Sequence, residues 1–405
     1  MERINRQKNI LSIISKLDIT PTMYNNAVNK YNELAKHLTE HGIRAEIYPQ
    51  GSFALGTVVR PIIKDENAAY DLDFVCQVYD DKNSLTAAQL RQKVQNILET
   101  SKLYNDNLKV CDECFTIVFA DIDGTGFSID IVPAVAESSD KIVKLHSLTK
   151  NTDLVDTAIA IPKKEHSNYS WLTNNPKGYK KWFDDINMRF NDASKFEFRQ
   201  LLLENNRHIF NSIQEIPEGL DRSVLQRVIQ ILKYHRDVYY SRIQDGDKLK
   251  PISAIIGTIV ANIAVSVKES LSVFELLEVV LDEFDVYAKQ TYLNETLFAS
   301  QYQSKNIILK KGSKWVIENP ANPEDNLADH WDNETAKRFF MWTAAVRNDL
   351  LKALEITDNN EYRAIMESAF GQNIVKQVFP KETQINIPPK PIYRASASKP
   401  WNSLL

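Results

Sequence analysis

Two acids separated by a single residue, Asp71 and Asp73, stand in the run Tyr70-Asp71-Leu72-Asp73-Phe74. Apolar residues alternate with them through Leu72, Phe74, Cys76 and Val78, the pattern of a half-buried strand in which residues two apart share a face. Both carboxylates then project to the same side. Acids this close repel and raise each other's pKa unless a cation lies between them, so the pair points to a bound metal. A third acid, Asp130, falls in Phe127-Ser128-Ile129-Asp130-Ile131-Val132. There Phe127, Ile129 and Ile131 face one way, and Asp130 joins Ser128 and Val132 on the more polar side of a strand able to pair beside the first. Three carboxylates on neighbouring strands are the oxygen ligands that Mg²⁺ takes, and two such ions about 4 Å apart can activate an attacking hydroxyl and neutralise a leaving oxygen. Asp71 and Asp73 would hold both ions. Asp130 would complete the ion on the attacking side and accept the incoming hydroxyl's proton.

Each residue alone has a plainer role. Asp73 could be an edge charge that blocks aggregation, Asp130 the partner of a Lys or Arg, and Ser52 an ordinary turn residue. Their combination carries the metal reading. Gln50-Gly51-Ser52 closes the apolar run that starts at Ala45; a glycine there lets backbone N–H groups approach a phosphate, and the serine hydroxyl adds a donor. Lys233 reads as a solvated helix charge, and Ser253, two residues after Pro251, as a helix N-cap. Cys111 and Cys114 form a lone C-x-x-C with no second ligand pair at zinc spacing, which assigns them to packing or surface chemistry.

Several elements must position these groups. Thr20-Pro21 starts a long amphipathic helix that carries Tyr24, Ala27, Tyr31, Leu34 and Leu38 and closes at His41-Gly42. Thr86 caps a helix bearing Leu90, Val94, Ile97 and Leu98. A hairpin joins residues 115–120 to 126–132 through Asp123-Gly124. Residues 137–195 read as a polar, irregular connection, and from about residue 196 the chain reads as helical throughout. Ala254 to Val267 is apolar enough for a buried helix, and further helices are expected over 272–289, 334–356 and 359–370, the last closed by Gly371. The segment 319–325, with Pro320 and Pro323, separates two of them. This gives three parts: a catalytic core over 1–195, a helical lobe over 196–385 and a flexible tail over 386–405.

The 405 residues suffice for two cores. Charged residues make up 25% and hydrophobic ones 43%, the balance of a soluble globular protein, and the net charge of −4 argues against a strong nucleic-acid surface. No signal peptide opens the chain and no apolar run approaches the roughly 18 residues of a membrane span, so a cytoplasmic protein with reduced thiols and no membrane partner is expected.

The ordering of these motifs resembles the polymerase β-like nucleotidyltransferase superfamily. Gly51-Ser52-Phe53-Ala54-Leu55-Gly56-Thr57, Tyr70-Asp71-Leu72-Asp73, Ile129-Asp130-Ile131-Val132-Pro133, Leu232-Lys233-Tyr234-His235-Arg236-Asp237 and Pro251-Ile252-Ser253 are similar to the bacterial cGAS/DncV-like nucleotidyltransferases, relatives of cyclic GMP-AMP synthase and oligoadenylate synthetase. The resemblance spans roughly residues 20–380. It implies an α/β (α+β) bilobal fold, with a mixed-sheet catalytic core, an N-terminal spine helix and a mainly helical lobe closing over the nucleotide. It also implies that Asp71, Asp73 and Asp130 ligate Mg²⁺, with Mn²⁺ as an alternative, and that Gln50, Gly51 and Ser52 cradle the donor triphosphate, which Lys233 and Ser253 reach from the helical lobe. The implied activity is template-independent joining of nucleoside triphosphates into a cyclic di- or trinucleotide or short oligonucleotide, a second messenger of anti-phage (CBASS) defence. Its expected partners are the triphosphates, a downstream effector that binds the product, and a regulatory protein at the tail. Where the animal sensor has a base-stacking tyrosine after its triphosphate serine, this chain has Ala254, and the stacking residue stays unassigned. Two other readings compete: a terminal RNA or protein nucleotidyltransferase, and a non-catalytic binding module of the same fold.

Overall fold

The computed structural model describes residues 2–60, 69–122, 125–190, 222–289, 307–312 and 314–379. The expected turn at Asp123-Gly124, the boundary near residue 195 and the tail over 386–405 lie outside the described residues.

Alternation builds the centre of the sheet. Strand β2 (Ala69–Val78) pairs in parallel with β5 (Thr125–Ala136), β1 (Ala45–Gln50) lies antiparallel on the other side of β2, and β4 (Phe115–Ile122) and β3 (Leu108–Val110) follow beyond β5. Tyr70, Leu72, Phe74 and Cys76 of β2 share one buried face with Phe127, Ile129 and Ile131 of β5. Helices α2 (Pro21–Glu40) and α4 (Ala87–Thr100) add Met23, Ala27, Leu34 and Leu38, and Leu90, Val94 and Leu98, to the same core. Their starts follow the expected capping chemistry: the Thr20 hydroxyl accepts from Met23 N at 3.1 Å with Pro21 in the first turn, and Thr86 and Gln89 satisfy each other's backbone N–H groups in a capping box. The opposite face of the sheet carries the acids. Along β2, Asp71 and Asp73 give way to Val75; along β5, Asp130 gives way to Val132 and Ala134, which close over Ile159 and Ile161.

Those isoleucines belong to a region that departs from the expected irregular connection. Past the short α5 (Lys102–Asp106), residues 139–187 contain α6 (Ser139–Leu148), α7 (Thr152–Val155), a hairpin of β6 (Ile159–Glu165) and β7 (Asn168–Asn174) that extends the sheet from β5, and α8 (Pro176–Asn187). Pro162 and the polar β7 hide the strand pattern in the sequence. Pro162 is accommodated because it faces Trp171 within a hairpin at the sheet's end.

The second lobe is built on α9 (Val224–Tyr240) and α10 (Ser253–Ala264), packed with α11 (Val273–Ala288), α12 (Asn333–Val346) and α13 (Asn359–Phe370). The α10 run from Ile255 to Ala261 is wholly buried, as its composition requires. Two features depart from an all-helical lobe. Residues 309–326 form two small hairpins, β8 (Leu309–Lys311) with β9 (Lys314–Val316) and β10 (Glu318–Asn319) with β11 (Asn322–Asn326). The helix expected over 334–356 ends at Val346 and continues as a π-turn, Arg347–Leu351, and a 3₁₀ turn, Lys352–Glu355.

The N-terminal segment joins the two lobes. Helix α1 (Glu2–Ser15) buries Ile10, Ile13 and Ile14, while the Arg6 guanidinium bonds Asn359 Oδ1 at 2.8 Å and lies 4.1 Å from the Tyr362 ring centre. Among the described residues no helix is long and apolar enough to cross a membrane.

Candidate metal and nucleotide site

Register brings the acids together. The parallel pairing of β2 with β5 sets Asp73 directly beside Asp130, and Asp71, two residues earlier on the same face, beside Ser128. One carboxylate oxygen from each of Asp71, Asp73 and Asp130 lies within 4.8 Å of the others. Asp71 is exposed, the other two half-buried. On the far side of β2, Gln50 is the register partner of Asp73, so β1 delivers its last residue to the same point.

Gly51 then turns away into the one-turn helix α3 (Gly51–Ala54) with φ +64°. A Cβ here would sit 2.2 Å from Asp73 Oδ2, so the position demands glycine twice over, for its left-handed backbone and for the carboxylate pressed against it.

The electrostatics are those of a site made for cations. Burial, then the charges of Asp71 and Asp130, push the Asp73 carboxyl up to about 8, with Lys233 opposing. Burial also raises Asp130; the Thr116 hydroxyl, donating to its Oδ1 at 2.6 Å, opposes that shift, and Asp71 adds to it. Three hard oxygen donors held together against mutual repulsion fit divalent cations such as Mg²⁺. Sequence reasoning missed Thr116, although hairpin pairing places it opposite Asp130.

The phosphate-side residues also converge. Gln50, Gly51, Ser52, Lys233 and Ser253 all line one cavity of about 290 Å³. Lys233 is buried rather than solvated: its ammonium donates to the Thr57 carbonyl at 2.8 Å, and burial, then Arg236, depress it to about 8 against the pull of Asp71 and Asp73. Ser253 is the first residue of α10 rather than its cap, which is Ile252; its hydroxyl accepts from Arg236 at 3.1 Å, and the same guanidinium nitrogen bonds Pro251 O.

Helix α9 does more than present Lys233. Gln226, Gln230 and Lys233, at i, i+4 and i+7 on one face, donate to the carbonyls of Leu55, Val58 and Thr57. The loop after Ser52 is thereby tied to the helical lobe at three points. A polar stripe at helical spacing in an otherwise apolar helix was the available signal for Gln226 and Gln230. Tyr179 of α8 also lines the cavity, its hydroxyl 2.8 Å from Thr258 Oγ1; nothing in its sequence context marks it. Cys111 and Cys114 sit at the turn before β4, the first exposed, with Cys111 Sγ 3.5 Å from Thr116 Oγ1.

Residues 5–187, which contain β1, β2, β5 and all three acids, match the family described as the Second Messenger Oligonucleotide or Dinucleotide Synthetase domain. Over those residues the chain is similar to that synthetase family. A c-di-GMP synthase of Roseivirga ehrenbergii is 27% identical over 368 residues, covering 88% of this chain and 81% of the relative. The fold is shared with solved cGAS/DncV-like structures: CdnG of Bradyrhizobium diazoefficiens in complex with GTP (TM-score 0.64, 16% identity, 92% of this chain and 98% of that one) and CdnC of E. coli MS115-1 with ATP (TM-score 0.56, 14% identity, 91% and 98%). The acidic triad of this chain is suited to a divalent metal.

Proposed function

We propose that this protein condenses nucleoside triphosphates, without a template, into a cyclic dinucleotide, with Asp71, Asp73 and Asp130 as ligands of two Mg²⁺ ions. The observation that carries this reading is the meeting of three carboxylate oxygens within 4.8 Å, one of them pressed against Gly51, which lines one cavity with Lys233 and Ser253. The relative from Roseivirga, named for a cyclic dinucleotide, supports a product of that size. When bound, the ions would lower the pKa of the attacking hydroxyl and neutralise charge on the leaving oxygen.

The chain's own residues supply the rest. The Gly51 and Ser52 amides, the Ser52 and Ser253 hydroxyls and the Lys233 ammonium hold the donor triphosphate, with Gln50 closing the strand side. The 2′- or 3′-hydroxyl of the acceptor attacks the α-phosphorus, pyrophosphate leaves, and Asp130 takes the hydroxyl proton. A second transfer within the linear intermediate closes the ring. A downstream effector would read the product, in keeping with a role in anti-phage signalling.

The test is chromatography and mass spectrometry of what the purified protein makes from ATP, GTP, CTP and UTP with Mg²⁺. A phosphatase-resistant product that disappears in the Asp71→Asn, Asp73→Asn double variant is expected. Labelling that needs added RNA or protein would instead select the terminal-transferase reading.

A further inference from the structure

The cavity has a wall that triphosphate binding leaves unused. It is made by Asn319 and Asp325 of the β10–β11 hairpin and by Leu327 just after it, in a cavity that Tyr179 and Asn174 also line. The hairpin is held firmly: Asn175 Nδ2 donates to Ala321 O at 2.8 Å, Asn322 Nδ2 to Thr173 O at 3.0 Å, and Glu324 pairs with Lys141 and Lys144 of α6. Asp325 is fixed in turn, its Oδ2 accepting from Asn319 Nδ2 at 2.9 Å. A carboxylate in a cavity built for a polyanion is the wrong charge for phosphate. It is suited to the other end of a nucleotide, where base edges present donors.

We propose that Asp325 selects guanine. Guanine alone among the four bases offers two adjacent donors, N1–H and the N2 amine, which one carboxylate can accept together in a charge-assisted pair. Adenine and cytosine present a ring-nitrogen lone pair at that position, and uracil a single N–H between two carbonyl oxygens, so each would face the carboxylate with a repelling acceptor. Tyr179 and Leu327 give the purine apolar surface beside it. Such a carboxylate discriminates because guanine meets it with two donors where the other bases meet it with an acceptor. The inference rests on the proposed nucleotide site and names its preferred substrate, a guanosine triphosphate.

The experiment is calorimetric titration of the full chain with GTP, ITP and ATP in Ca²⁺ buffer, which keeps the triphosphates bound while slowing transfer. Expected for the native chain is GTP tightest, ITP weaker by about tenfold for loss of the N2 amine, and ATP weaker still. Asp325→Asn and Asp325→Ala should each erase most of the GTP-over-ATP preference, with melting temperatures unchanged because the residue is exposed. Equal affinities in the native chain, or a preference that survives both substitutions, would overturn the assignment. If base preference is absent while the enzyme still releases pyrophosphate from triphosphates, only this inference falls; if GTP binds through Asp325 but no transfer occurs, only the proposed catalysis falls.

Discussion

At the scale of single residues, Gly51 and Asp73 constrain one another. A Gly51→Ala change must both strain a φ of +64° and displace the Asp73 carboxylate 2.2 Å away. The backbone part costs about 1 to 2 kcal/mol of stability, whereas displacement of a carboxylate of the proposed metal triad should lower kcat by a hundredfold or more; denaturant melts alongside turnover separate the two, and near-native turnover would refute the close approach. Asp73 itself makes a pH prediction. Folded and metal-free, it keeps its proton up to about 8, while the unfolded chain releases it near the ordinary carboxylate value. The folded state thus binds the extra proton across that interval, so stability falls as pH rises from about 4 towards 8. Melting temperatures in EDTA should show this slope, and Asp73→Asn should flatten it, leaving a smaller slope from Asp130. Identical slopes would mean that Asp73 is not held against its charge. The three acids and their shared face were legible in the sequence because strand periodicity is strictly two. Helix position alone read Lys233 as solvated, and only the family resemblance put it at the site, since a lysine's burial depends on the Thr57 carbonyl brought to it from another lobe.

At the scale of elements, the α9 stripe carries the burden of holding the loop after Ser52, the proposed phosphate cradle. Beside it, Arg227 forms a buried pair with Asp18 at 2.7 Å, and Gln230 bonds both Asp18 and Val58 O. Removing one partner of a buried pair leaves the other charge uncompensated. Asp18→Ala should therefore cost about 3 to 5 kcal/mol, measured by urea unfolding, and a loss under 1 kcal/mol would assign the pair a negligible role. Gln230→Leu tests positioning instead, since it frees the Val58 carbonyl without touching the cavity. A rise in KM for the triphosphate larger than any fall in kcat is expected, and unchanged KM would show that the loop holds itself. Elements whose signals are local, such as the Thr20-Pro21 and Thr86 helix starts, could be read directly. The β6–β7 hairpin could not, because its apolar residues meet partners on β5 and its Pro162 mimics a loop. The 319–325 segment likewise becomes a hairpin only where Asn175 and Asn322 tie it to β7.

At the scale of the molecule, the two lobes meet across a segment that belongs to neither. Residues 2–18 lie against the helical lobe through Arg6 and Tyr362 and against α9 through Asp18, and then run directly into α2 on the sheet. Ile10, Ile13, Ile14 and Leu17 are fully buried there. At about 1.5 to 3 kcal/mol for each buried side chain, their removal withdraws roughly 6 to 12 kcal/mol, comparable with the whole stability of a typical domain. A chain beginning at Ile19 should accordingly lose its cooperative melt by circular dichroism, although every residue of the proposed metal and phosphate site is retained. The milder Arg6→Ala, which removes the bonds to Thr357 and Asn359, the ion pair with Glu2 and the contact with Tyr362, should keep the fold and melt a few degrees lower. If the truncated chain instead melted as the native one does, the strap would be an accessory, and the lobes would owe their alignment to the α9 stripe with the Leu55, Thr57 and Val58 carbonyls and to the bonds that Asn175, Asn322 and Glu324 make.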